Sequence, residues 1–305
     1  MRAAPKGIAA AASAFAAWGL FPLFFKLLHA VSAPQVIAHR VVWSCLILLG
    51  YIALRGELRE VRAALAARRV VLRLALSATL ISVNWLVYVW AVMHGHVVDA
   101  SLGYFINPLV NVLLGIVLLA ERLNRVQWVA VAFAAAGVAY LTFVTGHLPW
   151  ISLTLAVSFS SYGLIRKVVQ VEALPGLAAE TLLLMPFASG YLLWCEASGS
   201  GALGHVPPSI DVLLIASGPL TAIPLFLFAY GARRIPYSSV GLLQYLTPSL
   251  QLTCAVFVFH EPFGRTQAAG FALIWMALII YAGDGLWRAR SSSARLRGSG
   301  VWRAR

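Results

Sequence analysis

The sequence is short of charged residues, and acidic residues are especially scarce. Of its 305 residues, 11% are charged and only 10 are Asp or Glu, whereas 61% are hydrophobic. A soluble domain of ordinary composition contains about 25% charged residues. A chain this apolar would expose a large hydrophobic surface in water. The composition therefore excludes an ordinary soluble protein and predicts an integral membrane protein.

Cysteine is also rare, and motifs that indicate nucleotide or metal chemistry are missing. Cys45, Cys195 and Cys254 are scattered through apolar stretches, which predicts neither a disulfide framework nor a metal site. No phosphate-binding glycine loop and no HExxH, CxxC or GxSxG motif occurs in a usable context. We therefore expect no metal, no cofactor, no catalytic residues and no ATP-driven pumping, and we predict that the protein is not an enzyme.

Long hydrophobic runs are what the sequence has in abundance. A helix needs about 20 apolar residues to cross the hydrocarbon core of a bilayer, and ten segments meet this requirement. The predicted fold is therefore all-α integral membrane with ten transmembrane helices. The Arg-rich loop 55–71 is long enough for an amphipathic interfacial helix. The predicted spans are 7–28, 34–54, 72–94, 98–120, 126–144, 149–167, 177–195, 211–230, 237–259 and 265–286.

Positive charge is concentrated on one side of the predicted membrane. With the N-terminus in the cytoplasm, all but three of the 23 Lys and Arg residues fall in cytoplasmic segments; the exceptions are Lys26, Arg40 and Arg265. This distribution follows the positive-inside rule and predicts cytoplasmic N and C termini in an inner membrane. It also accounts for the net charge of +13 through anionic lipid, so no nucleic-acid partner is predicted.

The chain matches itself at an offset of 140 residues. Each half then contains five predicted helices, and an odd number requires the two halves to insert in opposite orientations. Inverted repeats of this kind are typical of secondary transporters. The matched pairs are Pro108 with Pro248, Glu121 with Glu261, Gln127 with Gln267 and Ala132 with Ala272. The predicted domains are a first five-helix repeat over 1–145, a second, inverted five-helix repeat over 146–287, and a basic disordered cytoplasmic tail over 288–305.

The same offset aligns two polar faces, one on the fourth and one on the ninth predicted helix. Each face is spaced i, i+3, i+7, and each contains a proline that cannot donate a backbone hydrogen bond. Prolines at matching positions predict helix breaks with freed carbonyls at Tyr104 and Gln244, beside a solute site. The alternative is that the polar side chains only join helices. The residues are Tyr104, Asn107, Asn111 and Pro108 in the first face and Gln244, Thr247, Gln251 and Pro248 in the second.

Three charged residues fall within predicted spans: Lys26, Arg40 and Glu180. A charge at the bilayer centre costs at least about 2.5–3.5 kcal/mol on insertion scales, so each needs a partner, water or a path to the interface. Lys26 is expected to extend toward the outer interface, or to join Arg40 in an electropositive outer half of the cavity. Arg40, with His39 and Trp43 beside it, is the candidate for attracting carboxylate or other electron-rich groups.

Glu180 is the candidate for carrying a coupling proton. Its nearest predicted partners are Arg166 and Lys167. For Arg40 and Glu180 alike, structural pairing at helix ends is the open alternative.

Aromatic residues extend the candidate site. Asn84, Trp85 and Tyr88 lie too deep in the third helix for an interfacial belt, and Tyr162 lies in the sixth. Deep aromatic rings beside an amide suit an amphipathic, ring-containing ligand, although core packing is an equal alternative. All seven histidines fall on the outer side, either as tolerated polar residues or as a proton-sensing face. These are His29, His39, His94, His96, His147, His205 and His260.

Several stretches resemble the RarD branch of the EamA-type drug/metabolite transporters, over nearly the whole chain from about residue 7 to residue 286. They include AHRVVWS at 38–44, NWLVYVWAV at 84–92, SLGYFINPLVN at 101–111 and SYGLIRK at 161–167. The resemblance implies a ten-helix, five-plus-five inverted repeat around a central cavity. It also implies export or exchange of small metabolites, amino acids or drugs. The branch is named for chloramphenicol sensitivity, which makes chloramphenicol a candidate solute.

The sequence thus favours a secondary transporter of small organic solutes that works by alternating access. Two alternatives stay open: a membrane enzyme acting on lipid or isoprenoid, and a scaffold or sensor subunit that transports nothing. The predicted partners are membrane lipid and a small-molecule solute, with a homodimer as an open alternative.

Overall fold

The computed structural model describes residues 3–119, 124–232 and 243–298, and every regular element within these ranges is a helix. Each of the ten predicted spans overlaps one of these helices. Glu121, Arg233 and Arg234 lie outside the described residues, as does the first part of the predicted ninth span. The helices are α1 Ala3–Leu27, α2 Ala33–Leu54, α3 Leu58–Ala66, α4 Arg68–Met93, α5 Val97–Leu119, α6 Arg125–Thr145, α7 Trp150–Val168, α8 Ala173–Ala197, α9 Pro208–Ala232, α10 Leu246–Thr253 and α11 Arg265–Gly298.

Within the described residues, eight helices are long and apolar enough to cross a membrane: α1, α2, α4, α5, α6, α8, α9 and α11. The remaining two spans are less apolar or shorter. Helix α7 is rich in serine, and α10 continues as a π-helical turn over Cys254–Val258. The molecule is therefore an all-helical, multi-pass membrane protein.

The Arg-rich loop between α2 and α4 contains the short helix α3. Val61 and Ala64 are buried on one face, where α3 packs against α4 and α8. Arg59 and Arg62 are exposed on the other face. Helix α3 is therefore amphipathic, as the sequence predicted, and it displays positive charge where the positive-inside rule expects it.

Helices that correspond under the 140-residue offset make corresponding contacts. Helix α1 packs on α9, and α7 packs on α4; α5 packs on α7, and α10 packs on α1. Two further extensive pairs, α2 with α8 and α6 with α11, join a helix to its own counterpart, whereas α2 with α9 is much more extensive than its matched pair, α8 with α4. The helix N-termini repeat as well. Gln127 Oε1 accepts the Asn124 N–H at 3.1 Å, and Gln267 Oε1 accepts the Gly264 N–H at 2.8 Å. The two halves therefore contact each other through matched helices.

Two glycines, Gly218 and Gly103, allow neighbouring helices to approach closely. A Cβ at Gly218 would lie 2.6 Å from Trp43 Cβ, and a Cβ at Gly103 would lie 2.7 Å from the Ser152 carbonyl oxygen. Both separations are too short for real carbon atoms, so any larger residue would push the helices apart. Small residues thus bring α9 against α2 and α5 against α7, which is the usual way for membrane helices to pack.

The last helix corrects one prediction. Helix α11 continues to Gly298, so residues 288–298 are helical, although the sequence analysis assigned them to a disordered tail. The stretch between Leu286 and Arg297 contains neither proline nor glycine, and it follows directly on a formed helix. Propagating a helix by one residue is far easier than starting one, which explains the extension. Residues 299–305 lie outside the described part of the chain.

Candidate functional site

Arg40 lies about two turns into α2 with its side chain enclosed. It is 4% exposed, and its Nε donates a hydrogen bond of 2.7 Å to Thr221 Oγ1 on α9. The guanidinium carbon lies 4.2 Å from the ring centroid of Trp85 on α4. It also lies 5.6 Å from Phe25 and 5.7 Å from Phe21, both on α1. Helices α1 and α4 thus build an aromatic cage around one cation, a favourable arrangement for a guanidinium, and α9 supplies its hydroxyl partner.

Arg40 has no acidic partner in the described part of the chain. No described carboxylate lies within 4.0 Å of its guanidinium, and the Thr221 contact is its only hydrogen bond there. Aromatic faces attract a cation by about 0.5–2 kcal/mol, which is less than a charge costs in the middle of a bilayer. The two terminal nitrogens therefore remain available to an anionic or carbonyl oxygen.

Two tyrosines continue the cage toward α5. Tyr88 on α4 lies with its ring centroid 6.1 Å from that of Phe25 and 5.8 Å from that of Tyr104 on α5, in edge-to-face geometry. The Tyr104 hydroxyl donates to Asn84 Oδ1 at 3.2 Å. Asn84 Nδ2 donates at 3.0 Å to Ser158 Oγ on α7. The amide is therefore fixed between the tyrosine and the serine, and it fixes the tyrosine in turn.

Gln251 on α10 joins this group of residues through Tyr88. It is 2% exposed, and its Nε2 donates to the Tyr88 hydroxyl and to the Trp18 carbonyl, both at 3.3 Å. Its Oε1 is buried and has no hydrogen-bond partner among the described residues. Leaving a buried acceptor unpaired costs about 1–3 kcal/mol, so this oxygen suits a donor supplied by a ligand.

We define the central cluster as Arg40, its cage of Phe21, Phe25 and Trp85, its partner Thr221, and the linked residues Asn84, Tyr88, Tyr104 and Gln251. Of the residues that the sequence analysis proposed, the structure brings together Arg40, Asn84, Trp85, Tyr88, Tyr104 and Gln251. Sequence reasoning missed Phe21, Phe25 and Thr221. The two phenylalanines are four residues apart on α1, a spacing that places them on one face. Thr221 is a buried hydroxyl in an otherwise apolar stretch of α9 between two prolines.

Two other residues of the predicted polar faces, Asn107 and Thr247, join helices instead. Ser160 Oγ donates to Asn107 Oδ1 at 2.6 Å, which links α7 to α5. Thr247 Oγ1 donates to the Phe15 carbonyl at 2.8 Å, which links α10 to α1. Asn111 lies on an exposed part of α5, and Gln244 is half-buried ahead of α10. For Asn107 and Thr247 the contacts match the alternative of interhelical bonding.

The two expected helix breaks turn out differently: of the two predicted spans, the one that contains Pro248 is interrupted, by a turn at residues 244 and 245. Pro108 lies inside α5, which is continuous from Val97 to Leu119. Pro248 lies in the first turn of α10, where a backbone N–H would have no intrahelical partner in any case. The carbonyl of Gln244, expected to be free, accepts the Thr247 N–H at 3.3 Å. A three-residue turn thus uses the bond that proline removes from the longer register.

His39 and Trp43 flank Arg40 in sequence but point elsewhere. His39 is buried within electrostatic reach of Asp211 at the start of α9. Trp43 packs against Gly218, and its Nε1 is buried without a partner among the described residues. In the described part of the chain, neither side chain makes a hydrogen bond or ring contact with the central cluster.

Lys26 lies near the C-terminal end of α1. Its Nζ is 3.5 Å from the Val92 carbonyl oxygen and 5.6 Å from the ring centroid of Phe259. The ammonium group is therefore held by a carbonyl at the end of α4 and by an aromatic face.

Glu180 on α8 forms a separate polar group. It is 1% exposed; Ser77 Oγ on α4 donates to its Oε1 at 2.6 Å, and Arg166 Nη1 on α7 lies 3.7 Å away. The Tyr162 hydroxyl is close to the same carboxylate. Arg166 was one of the two predicted partners, and the structure confirms the pairing. Tyr162 therefore belongs with Glu180 and not with the central cluster.

Two of the histidines predicted on the outer side lie beside a carboxylate. His96 Nδ1 lies 3.3 Å from Asp99 Oδ2 at the start of α5. His205, between α8 and α9, lies 2.7 Å from Glu196 Oε1. This hydrogen bond and the negative charge of Glu196 raise the pKa of His205. Among the described residues, no three His, Cys, Asp or Glu side chains are grouped so as to hold a metal ion.

Comparison with known proteins places this architecture among transporters. Residues 5–143 match the model of the EamA-like transporter family. The chain is 46% identical to Protein RarD of Streptomyces exfoliatus over 93% of this chain and 90% of that protein. It is 44% identical to the uncharacterized transporter YojE of Bacillus subtilis over 94% of this chain and 97% of that protein. A crystal structure with 18% identity superposes with a TM-score of 0.57, covering 91% of this chain and 97% of that chain, which shows a shared fold.

Proposed function

Because the chain belongs to the EamA-like transporter family, in its RarD-type branch, we propose that it is a secondary transporter of small organic solutes in the bacterial inner membrane. The solute is bound at the central cluster, and alternating access exposes that cluster to each side of the membrane in turn. The observation that carries this proposal is a buried cation, Arg40, enclosed by aromatic rings and without an acid among the described residues.

The matched packing supports an inverted repeat as the basis of this mechanism. Helix α1 packs on α9, and α7 packs on α4. In both contacts, the first membrane-spanning helix of one half packs against the third of the other half, as expected for two similar halves. Five membrane-spanning helices in each half, with both termini in the cytoplasm, agree with the placement of Lys and Arg. Two similar halves in opposite orientations give one site two equivalent ways to open.

The central cluster lies where the two halves meet. Arg40 and Tyr88 belong to the first half, whereas their hydrogen-bond partners Thr221 and Gln251 belong to the second. A solute bound between these residues contacts both halves at once. Movement of one half against the other would then change the bonds around Arg40 and Gln251. Solute binding and opening are coupled in this way.

Glu180 is proposed to carry a coupling proton. Its carboxylate is buried beside Arg166, and its Oε2 has no hydrogen-bond partner among the described residues. Protonation would remove the charge that attracts Arg166 and loosen the contact between α7 and α8. Such a change in a buried pair is a physical link between proton binding and helix movement.

Solute accumulation in cells tests the proposed function. Cells expressing the chain, its Arg40→Ala variant or neither are given labelled chloramphenicol and a panel of labelled amino acids, with surface expression matched. A change in flux that depends on the chain and is lost in Arg40→Ala is expected. Arg69→Gln, which removes an exposed arginine at the start of α4, is the matched control and should transport normally. Flux that persists unchanged in Arg40→Ala would contradict the assignment of the site.

A further inference from the structure

The central cluster contains two polar groups that need opposite kinds of hydrogen-bond partner. The terminal nitrogens of Arg40 make no hydrogen bond with the described residues, and Gln251 Oε1 is a buried acceptor without a donor there. The side chains are 4% and 2% exposed, respectively. Buried donors and acceptors are nearly always paired in native proteins. Both groups border the same aromatic wall, because Tyr88 bonds to Gln251 and stacks edge-to-face with Phe25 of the Arg40 cage.

The charge balance of the cluster selects a monoanion. Arg40 contributes one positive charge, and no described carboxylate cancels it. Lys26, the other basic residue predicted within a span of the first half, is engaged by the Val92 carbonyl and Phe259. One carboxylate would therefore neutralise the site, whereas a phosphate monoester, with about two negative charges at neutral pH, would leave an unpaired charge in an apolar surrounding.

The walls of the cluster select a flat, apolar body. Phe25 packs edge-to-face on Tyr88, and Tyr88 packs edge-to-face on Tyr104. Trp85 lies over the guanidinium itself. Aromatic faces and edges of this kind favour another ring by about 0.5–1.5 kcal/mol beyond simple burial. A guanidinium whose Nε is fixed by Thr221 also presents its remaining donors in one plane, which matches a planar carboxylate.

We propose that the solute bound by the central cluster is an aromatic monocarboxylate that also carries an N–H or O–H donor. The carboxylate binds the terminal nitrogens of Arg40, the ring packs against Tyr88 and Tyr104, and the donor binds Gln251 Oε1. This inference rests on the proposed transport function, because it names the class of solute for the same cluster. It predicts that neutral solutes such as chloramphenicol bind more weakly than organic anions of similar size.

A charge series on one carbon skeleton tests the carboxylate. The purified full-length chain in detergent is titrated with phenylacetate, phenylacetamide and phenethylamine, and the rise in melting temperature is recorded against concentration. Phenylacetate should give half-saturation at a concentration at least about tenfold lower than the amide or the amine, because a charge-assisted hydrogen bond is lost in both. Equal half-saturation by the three compounds, or preference for the amine, would overturn the proposal without any variant being needed.

Arginine variants locate the anion. Arg40→Met should abolish the preference for phenylacetate, Arg40→Lys should retain a weaker preference, and the exposed control Arg69→Gln should behave as wild type. If Arg40→Met does not fold, Arg40→Lys and the unaltered protein still decide the question. An anion preference that survives in folded Arg40→Met would contradict the assignment to Arg40.

Mandelate, which adds one hydroxyl to phenylacetate, tests the donor. Mandelate should bind more tightly than phenylacetate to wild type, and Gln251→Met should remove that difference while leaving phenylacetate binding. An advantage that is absent in wild type, or that persists in Gln251→Met, would overturn the donor part of the proposal.

Flux of the same compounds into proteoliposomes separates the two proposals. Transport of neutral solutes with no preference for anions would overturn the solute class and leave the transport function standing. Arg40-dependent binding of carboxylates with no flux of any compound would do the reverse. Arg40-dependent flux of phenylacetate and mandelate is the expected result.

Discussion

Arg40 on α2 and Glu180 on α8 occupy positions matched by the 140-residue offset, and their two helices pack against each other. Both side chains are buried, yet their surroundings differ. Glu180 has a basic residue within 3.7 Å and a hydroxyl at 2.6 Å, whereas Arg40 has aromatic rings and one hydroxyl. The comparison separates a charge that the protein itself neutralises from one that it leaves to be neutralised by a ligand.

This difference has an energetic meaning. Removing one member of a buried ion pair strongly destabilises a folded protein, because the other member is left charged in an apolar surrounding. A buried charge without an ionic partner lowers stability in the first place, so its removal need not cost anything. Stability should therefore respond differently to the loss of charge at the two matched positions.

The largest loss of stability is expected at Glu180. Glu180→Gln keeps the shape and can still accept from Ser77, but it removes the buried negative charge beside Arg166, so the free energy of unfolding should fall by about 3 kcal/mol. Chemical unfolding in detergent provides the measurement. Ser77→Ala, which removes only a neutral donor, should cost about 1 kcal/mol. Equal losses in the two variants would mean that the ion pair contributes nothing beyond a hydrogen bond.

A smaller change in stability is expected at Arg40. Arg40→Met fills a similar volume without a charge, so the free energy of unfolding should change by less than about 1 kcal/mol or increase. Solute flux should nevertheless fall to the level of cells that lack the chain. Thermal unfolding and flux measured on the same preparation check both parts. A loss as large as that of Glu180→Gln would indicate a structural role and remove the contrast between the two positions.

The sequence predicted the helices better than the side-chain contacts, and particular residues show why. Each span is set by about 20 consecutive apolar residues, a property of local composition. Polar residues in mid-membrane are few, so Arg40, Asn84 and Gln251 were identifiable one by one. Asn107 and Tyr104 share a helix face in the sequence, but only the packing of α7 decides that one pairs with Ser160 and the other with Asn84.

Apolar members of the site could not be recognised in the same way. Phe21 and Phe25 look in sequence like any phenylalanine that faces lipid, and only the tertiary packing of α1 places them beside Arg40. The prediction of a disordered tail was wrong for residues 288–298 for a related reason. Their basic, serine-rich composition does not show that a helix formed before them will continue through them.

The smallest effect is expected for the exposed pair of His205 and Glu196, at the end of α8. Both side chains are exposed, in contrast to the Glu180 pair, so water screens their attraction. Glu196 raises the pKa of His205 in the folded state. The stabilisation is therefore fully present below the ordinary histidine pKa of about 6.5 and is lost as pH rises through the raised value. His205→Ala should lower the melting temperature slightly at pH 5.5 and leave it unchanged at pH 9.

The titration of His205 itself sharpens this last contrast. NMR of the imidazole should give an apparent pKa above the ordinary range in wild type, and Glu196→Gln should return it toward that range. Because the pair is exposed, added salt should shrink the difference, whereas the buried Glu180 pair should be nearly insensitive to salt. A His205 pKa unaffected by Glu196→Gln would assign the shift to another group. Equal salt sensitivity of the two pairs would mean that burial does not distinguish them.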